Sequence, residues 1–599
     1  MSKLGSLALD GGDPRLHEKE HENMDILAAN DMSSGIRPQH RRLHDPTVTF
    51  EEYYHYAQKT REEEDTFGGK ETGIMSIFFP SKNDSGVQQI AENGSKDATQ
   101  INTTDEASRM MVTDEEWTNA SRALRTATRG AIFYLITTDI LGPFGLPYAV
   151  ASMGWGPGIA LYTVFAGLAG YSGYLLWVTF MGLDSYQFPI HSFGDIGFRL
   201  YGPWLRYLFN ILQSIQLLLN VGLIVMGNGM ALSQVAKFKV CFIVCCVIWA
   251  AAGFALGQVR TLQKFGWLAN VAVWLNLLCM FVSMGGAAHS DPNYSAHNQA
   301  AGASFGDGSS VQPNPLTGAW PAVHTSGGLP DPSNFIGTVS GAMQAVFAYG
   351  GSMIFPEFMA EMKRPRDFLT AMWAAQAFIY VTYMLYGLFI YGYQGQYTVN
   401  PAYLGVSKYG LQTAGNVMAM VTGLIAGGLY GNIGVKVIYN NIFVEMFHAP
   451  PLTHRAGKFL WVAIIPVYWG IAFILAASIP SFGGLTAVVA AFCILHFTYS
   501  FPPMLATLFW IKEAALQEGE GFDPATGNTI RHDSGIKRLV RGCMSLKPKI
   551  LMMSVFNVFY FLGALALAGL GAYSAIEVLK DAYKGKVSTA FTCHSPLDG

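Results

Sequence analysis

The sequence predicts an all-α polytopic membrane protein with about eleven transmembrane helices. Of its 599 residues, 51% are hydrophobic and only 13% are charged, a balance too apolar for a soluble protein of this length. Apolar runs recur from about residue 130 onward, each near the roughly 20 residues that cross the hydrocarbon of a bilayer. The net charge of -3 is small and the basic residues lie mostly in short loops, which argues against nucleic acid as a partner.

The apolar runs divide the chain into three parts. Residues 129–578 form the predicted transmembrane domain, residues 1–128 precede it, and residues 579–599 form a short extracytosolic tail. The predicted spans are 130–153, 156–182, 204–234, 240–258, 265–287, 335–360, 369–393, 412–436, 458–479, 484–511 and 550–577.

Residues 1–128 are rich in Asp, Glu, Lys, Ser and Gly, and they lack a long apolar run. A segment of this composition cannot bury enough surface to fold alone, so we expect it to be mostly disordered. Two helices are expected within it: a short aromatic one around Phe50–Tyr56, and a membrane-proximal one that starts at a capping box, Thr113 to Glu116, and runs toward Arg129.

The distribution of Lys and Arg predicts a cytosolic amino terminus, because positive charge concentrates in the loops that this orientation places inside. The stretch from Phe265 to Met362 contains no Lys or Arg, and its Gly/Ser/Pro-rich middle fits an external loop. The sequon that begins at Asn293 makes this loop a candidate for glycosylation.

The seven cysteines show no CxxC pairing, and most of them lie within apolar runs. We therefore expect small buried side chains, with no disulfide framework and no metal site. No phosphate-binding loop of the GxxxxGK[ST] type accompanies the spans, so we expect no cofactor and no nucleotide-driven transport.

Two predicted spans contain helix breakers near mid-membrane. The first, at 137–148, combines Asp139 with Gly142-Pro143 and with Gly145 and Pro147, and the sixth carries Gly350-Gly351 followed by Pro356. Spans one and six are five apart and therefore insert in opposite directions, which indicates an inverted repeat with a binding site between its halves. The alternative is that these residues only permit kinks or close packing.

Unwound backbone at this depth must face protein or a wet cavity, because lipid cannot satisfy free N–H and C=O groups. The positive helix end at Gly145 and Leu146 suits a carboxylate, and the carbonyl groups from Ala348 to Gly350 suit an ammonium group. We therefore expect a zwitterion in a site that comprises the following residues: Gly142, Phe144, Gly145, Leu146, Ala348, Tyr349, Gly350 and Gly351.

Asp139, with Thr138 beside it, is the candidate site for a coupling ion, because a carboxylate inside the membrane needs a partner, water or a proton. The alternative is a structural hydrogen bond. Gln213 and Gln216 share one face of the third span and are expected either to line the substrate path or to bond to a neighbouring helix. For Glu357, at the inner end of the sixth span, we favour an interfacial salt bridge with nearby Lys363 or Arg364.

The stretch Gly142-Pro143-Phe144-Gly145-Leu146-Pro147-Tyr148-Ala149 resembles the first-span element of the amino acid/auxin permease family. The sixth span is similar to that family's sixth span in Pro356-Glu357 and in the segment from Glu361 to Arg366 that follows it. The sequence as a whole is similar to fungal neutral amino acid permeases. The resemblance implies eleven helices, arranged as a five-plus-five inverted repeat of the sodium-symporter type with one extra helix, and proton-driven amino acid uptake. The sequence departs from the family pattern at Ile140 and Gly350, so substrate range and coupling stoichiometry do not transfer.

The leading hypothesis is a secondary active transporter that moves neutral amino acids, by proton symport rather than with sodium, through alternating access around the two breaks. The alternatives are an amino acid sensor or receptor and a gradient-driven vacuolar exchanger or exporter. We expect no enzymatic activity, because Asp139 has no convincing second carboxylate for intramembrane hydrolysis. The expected partners are the amino acid, protons and membrane lipid, and the plasma membrane is favoured over the vacuolar membrane.

Overall fold

A computed structural model describes residues 44–66, 125, 127–259, 265–301, 311–444, 447, 449–450, 455–479, 481–524, 526–584, 591 and 593–597. The expected membrane-proximal helix from Thr113 lies almost entirely outside these residues. Its described end is extended rather than helical, because Ala127 pairs with Met362 in a parallel bridge.

Helices account for nearly all regular structure in the described part of the chain. In the first half of the chain these are α1 Phe50–Thr66, α2 Arg129–Ile140, α3 Leu146–Met153, α4 Trp155–Leu183, α5 Phe193–Tyr201, α6 Pro203–Val235, α7 Phe242–Gly257, α8 Phe265–Ala288 and α9 Tyr294–Ala301.

The second half of the chain continues in the same way, with one two-stranded hairpin. Its elements are α10 Phe335–Ala348, α11 Phe355–Glu361, α12 Phe368–Gln394, α13 Tyr409–Ile438, α14 Arg455–Ser478, α15 Phe482–Val489, α16 Phe501–Ala514, β1 Gly521–Asp523, β2 Asn528–Ile530, α17 Ile536–Met544 and α18 Pro548–Lys584.

These helices confirm the predicted all-α membrane fold, and each predicted span has its counterpart. Eight described segments are long and apolar enough to cross a membrane, and α7 is a shorter apolar helix. The first span is divided into α2 and α3, and the sixth into α10 and α11. Between α15 and α16 the tenth span passes through two π-helical segments, Ala490–Ile494 and His496–Ser500.

Both breaks lie where the glycine and proline residues predict them. A short 3-10 turn at Pro143–Gly145 joins α2 to α3, whose first turn contains Pro147, and another at Ser352–Ile354 joins α10 to α11. Proline fits the first turn of a restarting helix because its missing N–H would have no intrahelical partner there. Helix α3 packs on α10, so the two broken spans meet.

Helix α1 is longer and more buried than the expected aromatic helix. Phe50, Tyr53 and Ala57 are buried, the Tyr54 hydroxyl donates to Glu513 Oε1 at 2.9 Å, and the Arg199 guanidinium lies 4.6 Å from the Tyr53 ring centroid. The expectation of disorder therefore does not extend to residues 44–66. Composition misses this because α1 packs on α4 and β1, elements far away in sequence.

A buried charge cluster fixes α1 to the end of α4. Asp184 accepts hydrogen bonds from Arg61 at 3.0 Å and from Arg125 at 2.7 Å, while the backbone N–H of Ile190 donates to its other oxygen at 3.1 Å. Burial alone would raise the pKa of Asp184, but Arg125 and Arg61 outweigh it and hold the pKa below its ordinary value. The carboxylate is therefore ionised and fully partnered.

The opposite face of the protein carries a disulfide that the sequence analysis did not expect. Cys241, at the start of α7, is bonded to Cys593 near the carboxyl terminus, 352 residues away in sequence. The expectation that all seven cysteines are small buried residues is wrong for this pair and for Cys543, which is exposed. Spacing could not reveal it, because the folded chain alone brings the two residues together.

We predict that Asp184→Asn destabilises the protein. Removing one partner of a buried ion pair costs about 3–5 kcal/mol, because the remaining charges stay buried without compensation. A thermal-denaturation scan in detergent at pH 7 should show a clear drop in melting temperature. Asp367→Asn is the matched control: its pair with Arg129 is partly exposed, and such pairs contribute about 0–1 kcal/mol.

The sign of the pH dependence gives a second check. Because the folded pKa of Asp184 is lowered, its stabilisation is present above the unfolded value of 3.8 and is lost as pH falls through the folded pKa. The difference in melting temperature between wild type and Asp184→Asn should therefore persist from pH 7 to about pH 5. Equal melting temperatures at pH 7 would contradict the assignment.

Candidate functional site

A cavity of about 230 Å³ lies between the two breaks. It is smaller than the roughly 300–1,000 Å³ pockets that hold drug-sized ligands, so it fits a small metabolite. Most of the residues predicted for the site line it: Thr138, Asp139, Gly142, Phe144, Gly145, Leu146, Ala348 and Gly350.

The other four predicted residues do not line this cavity. Tyr349 is buried against Tyr162 and Tyr383, and Gly351 lies against the first break. Gln213 donates to Glu357 Oε1 at 2.7 Å, and neither amide atom of Gln216 has a hydrogen-bond partner among the described residues. Asn220, on the same helix face, does line the cavity. Gln213 and Gln216 do not, because this face of α6 extends along the helix past the end of the cavity.

The last carbonyl groups of α2 are each satisfied by a side chain from another span. The Tyr430 hydroxyl donates to the carbonyl of Asp139 at 2.9 Å, and Asn276 Nδ2 donates to that of Leu141 at 2.8 Å. These groups have no intrahelical partner because the helix ends here. Helices α8 and α13 thus supply the hydrogen-bond donors that the carbonyl groups lose where α2 ends.

Tyr383 of α12 joins the two breaks. Its hydroxyl oxygen accepts a hydrogen bond from the N–H of Gly142 at 3.1 Å. The same hydroxyl is close enough to donate to the carbonyl oxygen of Ala348, at 2.8 Å, or to that of Ile140. The hydroxyl has one proton, so it can serve only one of these carbonyls at a time. A single side chain therefore bonds to backbone on both broken helices.

The amino end of α3 faces the cavity without a capping side chain. Its N-cap residue, Gly145, forms no side-chain cap hydrogen bond. A Cβ at Gly145 would lie 3.4 Å from Gln344 Oε1 and 3.6 Å from Asn400 Oδ1, so polar groups surround this helix end. Gln344 in turn donates to Thr486 Oγ1 at 2.9 Å and accepts from Asn400 Nδ2 at 3.3 Å.

Asp139 lies in the last turn of α2, as predicted, and lines the cavity. Its Oδ2 is buried and has no hydrogen-bond partner among the described residues. The same oxygen touches the second break, since a Cβ at Gly351 would lie 2.6 Å from it. The neighbouring Thr138 hydroxyl donates to the carbonyl of Ala269 at 2.9 Å.

Glu357 does not form the expected salt bridge. In the described part of the chain it makes no ion pair, and its Oε2 is buried without a hydrogen-bond partner. The reason is geometric: α11 directs Glu357 toward Gln213 of α6, away from Lys363 and Arg364. Glu357 is therefore a carboxylate with one buried, unpartnered oxygen that lies outside the cavity.

Sequence reasoning missed several polar residues of the cavity. These are Asn228, Asn276, Gln344, Tyr383, Asn400, Tyr403, Thr422 and Thr486. Asn400 and Tyr403 belong to a connecting segment, and the others are single polar residues within apolar spans. A polar residue in a span is a signal for function or helix contact, but it does not say which cavity the side chain faces.

Comparison with known proteins agrees with this geometry. The model of the transmembrane amino acid transporter protein family matches residues 125–519, which include the two broken helices and the cavity. The chain belongs to this family. Membership makes an amino acid the substrate class of the protein and a membrane its environment.

Two fungal relatives extend the similarity over most of the chain. A transmembrane transporter of Fusarium pseudograminearum is 23% identical over 473 residues, which cover 78% of this chain and 86% of the relative. The N amino acid transport system protein of Neurospora crassa is 22% identical over 479 residues, covering 78% of this chain and 88% of the relative.

We predict that Tyr383→Phe impairs amino acid transport. Without the hydroxyl, the Gly142 N–H and a carbonyl group are left unpaired, at about 1–3 kcal/mol for each buried group. Because about 1.4 kcal/mol corresponds to a factor of ten, the initial uptake rate should fall about tenfold or more.

The matched control is Tyr380→Phe, one turn earlier on α12. The Tyr380 hydroxyl contacts the Thr163 hydroxyl of α4 at 3.0 Å, in an exposed hydrogen bond that involves neither broken helix. This variant should transport like wild type, with both proteins at equal levels in the membrane. Wild-type uptake by Tyr383→Phe would show that the breaks do not depend on this hydroxyl.

Proposed function

We propose that the protein is a secondary active transporter of neutral amino acids that uses proton symport and works by alternating access around its two broken helices. The observation that carries the proposal is the cavity between the breaks, with an uncapped helix amino end and a single carboxylate. The family gives the substrate class, amino acids. The residues of the cavity support neutral selectivity and proton coupling.

Neutral selectivity is supported by the charges in the cavity. Of the residues that line it, Asp139 alone carries a carboxyl group, and none is basic. Apolar side chains such as Leu223, Phe347 and Phe482 form the remaining wall. A cationic or anionic substrate side chain would lose its hydration there without gaining an opposite charge, apart from the one at Asp139.

A zwitterion finds complementary groups within this cavity. The uncapped amino end of α3 at Gly145 is suited to the substrate carboxylate. Carbonyl groups near the breaks are suited to the ammonium group, although those of Asp139 and Leu141 already accept one hydrogen bond each. The carbonyl groups of Ile140 and Ala348 share the single proton of the Tyr383 hydroxyl. A carbonyl oxygen has two lone pairs, so each can accept a second donor.

Proton coupling is supported by the surroundings of Asp139. A carboxylate oxygen that is buried without a hydrogen bond is costly when charged, and protonation removes that charge. Its contact with Gly351 links the protonation state of α2 to the position of the sixth span. Relative movement of the two spans would therefore change the environment of the proton site, as alternating access requires.

The disulfide supports an orientation with α1 on the cytosolic side. Disulfides persist in oxidising compartments, and Cys241–Cys593 lies on the face opposite α1. Asn293, the candidate glycosylation site, lies at the start of α9 on the same face as the disulfide. We propose the plasma membrane as the location, with the vacuolar membrane as the alternative.

The first experiment is radiolabelled uptake into proteoliposomes with a panel of neutral, acidic and basic amino acids, with and without an imposed pH gradient. We expect saturable accumulation of neutral amino acids that increases with an inward proton gradient. Saturable binding without flux would indicate a sensor, and equal exchange without a gradient effect would indicate an exchanger. Either result would overturn the symport proposal.

We predict that Asp139→Asn removes the stimulation of uptake by the pH gradient. The amide cannot bind and release a proton, so uptake should fall to the level measured without a gradient, while counterflow exchange of substrate persists. The measurement is initial uptake at outside pH 5.5 and 7.5 with a constant internal pH.

Glu357→Gln is the control, because it neutralises a carboxylate that also has a buried, unpartnered oxygen but does not line the cavity. The amide can keep the hydrogen bond to Gln213, so gradient-driven uptake should be retained. The opposite pattern, with stimulation kept by Asp139→Asn and lost by Glu357→Gln, would move the proton site to α11.

A further inference from the structure

Helix α17, Ile536–Met544, is amphipathic, and its apolar side is uncovered. Ile536, Leu539, Val540, Cys543 and Met544 fall on one face at helical spacing and are all exposed, with Met544 at 83% and Ile536 at 79%. A water-exposed face of this kind is unfavourable on a soluble surface, so something apolar is expected to cover it.

The other sides of α17 are held by the protein. Gly542 packs so closely that a Cβ there would lie 2.2 Å from the carbonyl oxygen of Ile511 at the end of α16. Arg538 and Arg541 each lie 3.0 Å from Glu520, which anchors the polar face. The apolar face is therefore fixed in direction and cannot turn inward.

The neighbouring structure indicates what covers this face. Only three residues separate Met544 from Pro548, where the membrane-spanning helix α18 begins. The first turns of α18 carry exposed apolar side chains, among them Met552 and Phe559, so the apolar face of α17 continues a surface that faces lipid.

Charge identifies the kind of lipid. The segment from Ile536 to Lys549 contains five basic residues and no acidic one. Two of the five, Arg538 and Arg541, are paired with acidic side chains of the protein, whereas the exposed Lys537, Lys547 and Lys549 form no ion pair within the described residues. Lysine side chains beside an interfacial helix attract anionic headgroups.

We propose that α17 lies in the surface of the bilayer, with its apolar face among the acyl chains and Lys537, Lys547 and Lys549 on anionic lipid headgroups. It thereby attaches the assembly of α1, the β1–β2 hairpin and α16 to the leaflet on the α1 side. The occupant of the face is anionic lipid, and a second copy of the chain or another protein is the competing outcome.

Cys543 makes a direct test possible. Of the seven cysteines, two form the disulfide and four are buried, so Cys543 is the exposed free thiol and lies within the apolar face. The full-length protein is labelled there with an environment-sensitive fluorophore and placed in nanodiscs of phosphatidylcholine alone or mixed with phosphatidylserine. Quenching is measured with iodide in water and with lipids that carry a nitroxide near the headgroup.

In the mixed nanodiscs we expect strong quenching by the lipid nitroxide and weak quenching by iodide, with the lipid effect reduced in phosphatidylcholine alone. The variant Lys537→Gln/Lys547→Gln/Lys549→Gln should reduce lipid quenching in mixed nanodiscs to the phosphatidylcholine level and leave substrate binding unchanged. The control label is placed by Ser534→Cys in a Cys543→Ser background, at an exposed position before the helix, where iodide should dominate.

Three results would contradict the proposal. Strong iodide quenching with no lipid quenching at Cys543 would show that water covers the face. Protection from both quenchers would show that protein covers it, and a concentration-dependent oligomer would then identify a second copy. Lipid quenching that is equal in both nanodisc types would show that anionic headgroups do not hold α17 on the bilayer.

Discussion

The structure depends on one constraint: a backbone N–H or C=O group released inside a membrane must find a new partner. Lipid offers none, so each helix break requires donors and acceptors from other spans. Here the carbonyl groups at the end of α2 receive hydrogen bonds from Tyr430, Tyr383 and Asn276. The break is thus a joint product of four spans, and the cavity is the space that their side chains leave between them.

Tyr383 satisfies backbone groups on both broken helices and can do so in two ways. A hydroxyl that contacts Ile140 and Ala348 but can donate to only one of them has two arrangements of similar geometry. The contact of Asp139 with Gly351 is a second link between the same two helices. Elements with two discrete arrangements are what a transport cycle needs, because ligands and protons can shift the balance between them.

The face that carries α1 is built differently from the face that carries the disulfide. On the α1 side, buried or partly buried ion pairs join elements distant in sequence, as Asp184 does with Arg61 and Arg125. On the other side a covalent bond, Cys241–Cys593, joins the start of α7 to the carboxyl-terminal segment. The α1 side has charge pairing and packing in the place that the disulfide takes on the other side.

The sequence by itself determined the membrane class, the eleven spans and the position of both breaks. These properties follow from local quantities: the length of apolar runs and the backbone limits of glycine and proline. It also placed Asp139 at the end of a half-helix beside the break. Cavity residues within the breaks, such as Gly142 and Ala348, were predictable for the same reason.

Only the tertiary structure decided which side chains from other spans complete the site. Tyr383, Asn276, Gln344 and Asn400 come from four different parts of the chain, and a single polar residue in an apolar helix does not reveal its direction. Gln213 and Gln216 illustrate this, since their shared helix face left open whether they line the substrate path or bond to a neighbouring helix, and the structure shows Gln213 bonded to Glu357. The disulfide and the packing of α1 were likewise undetermined, because they arise from contacts between distant residues that no local pattern encodes.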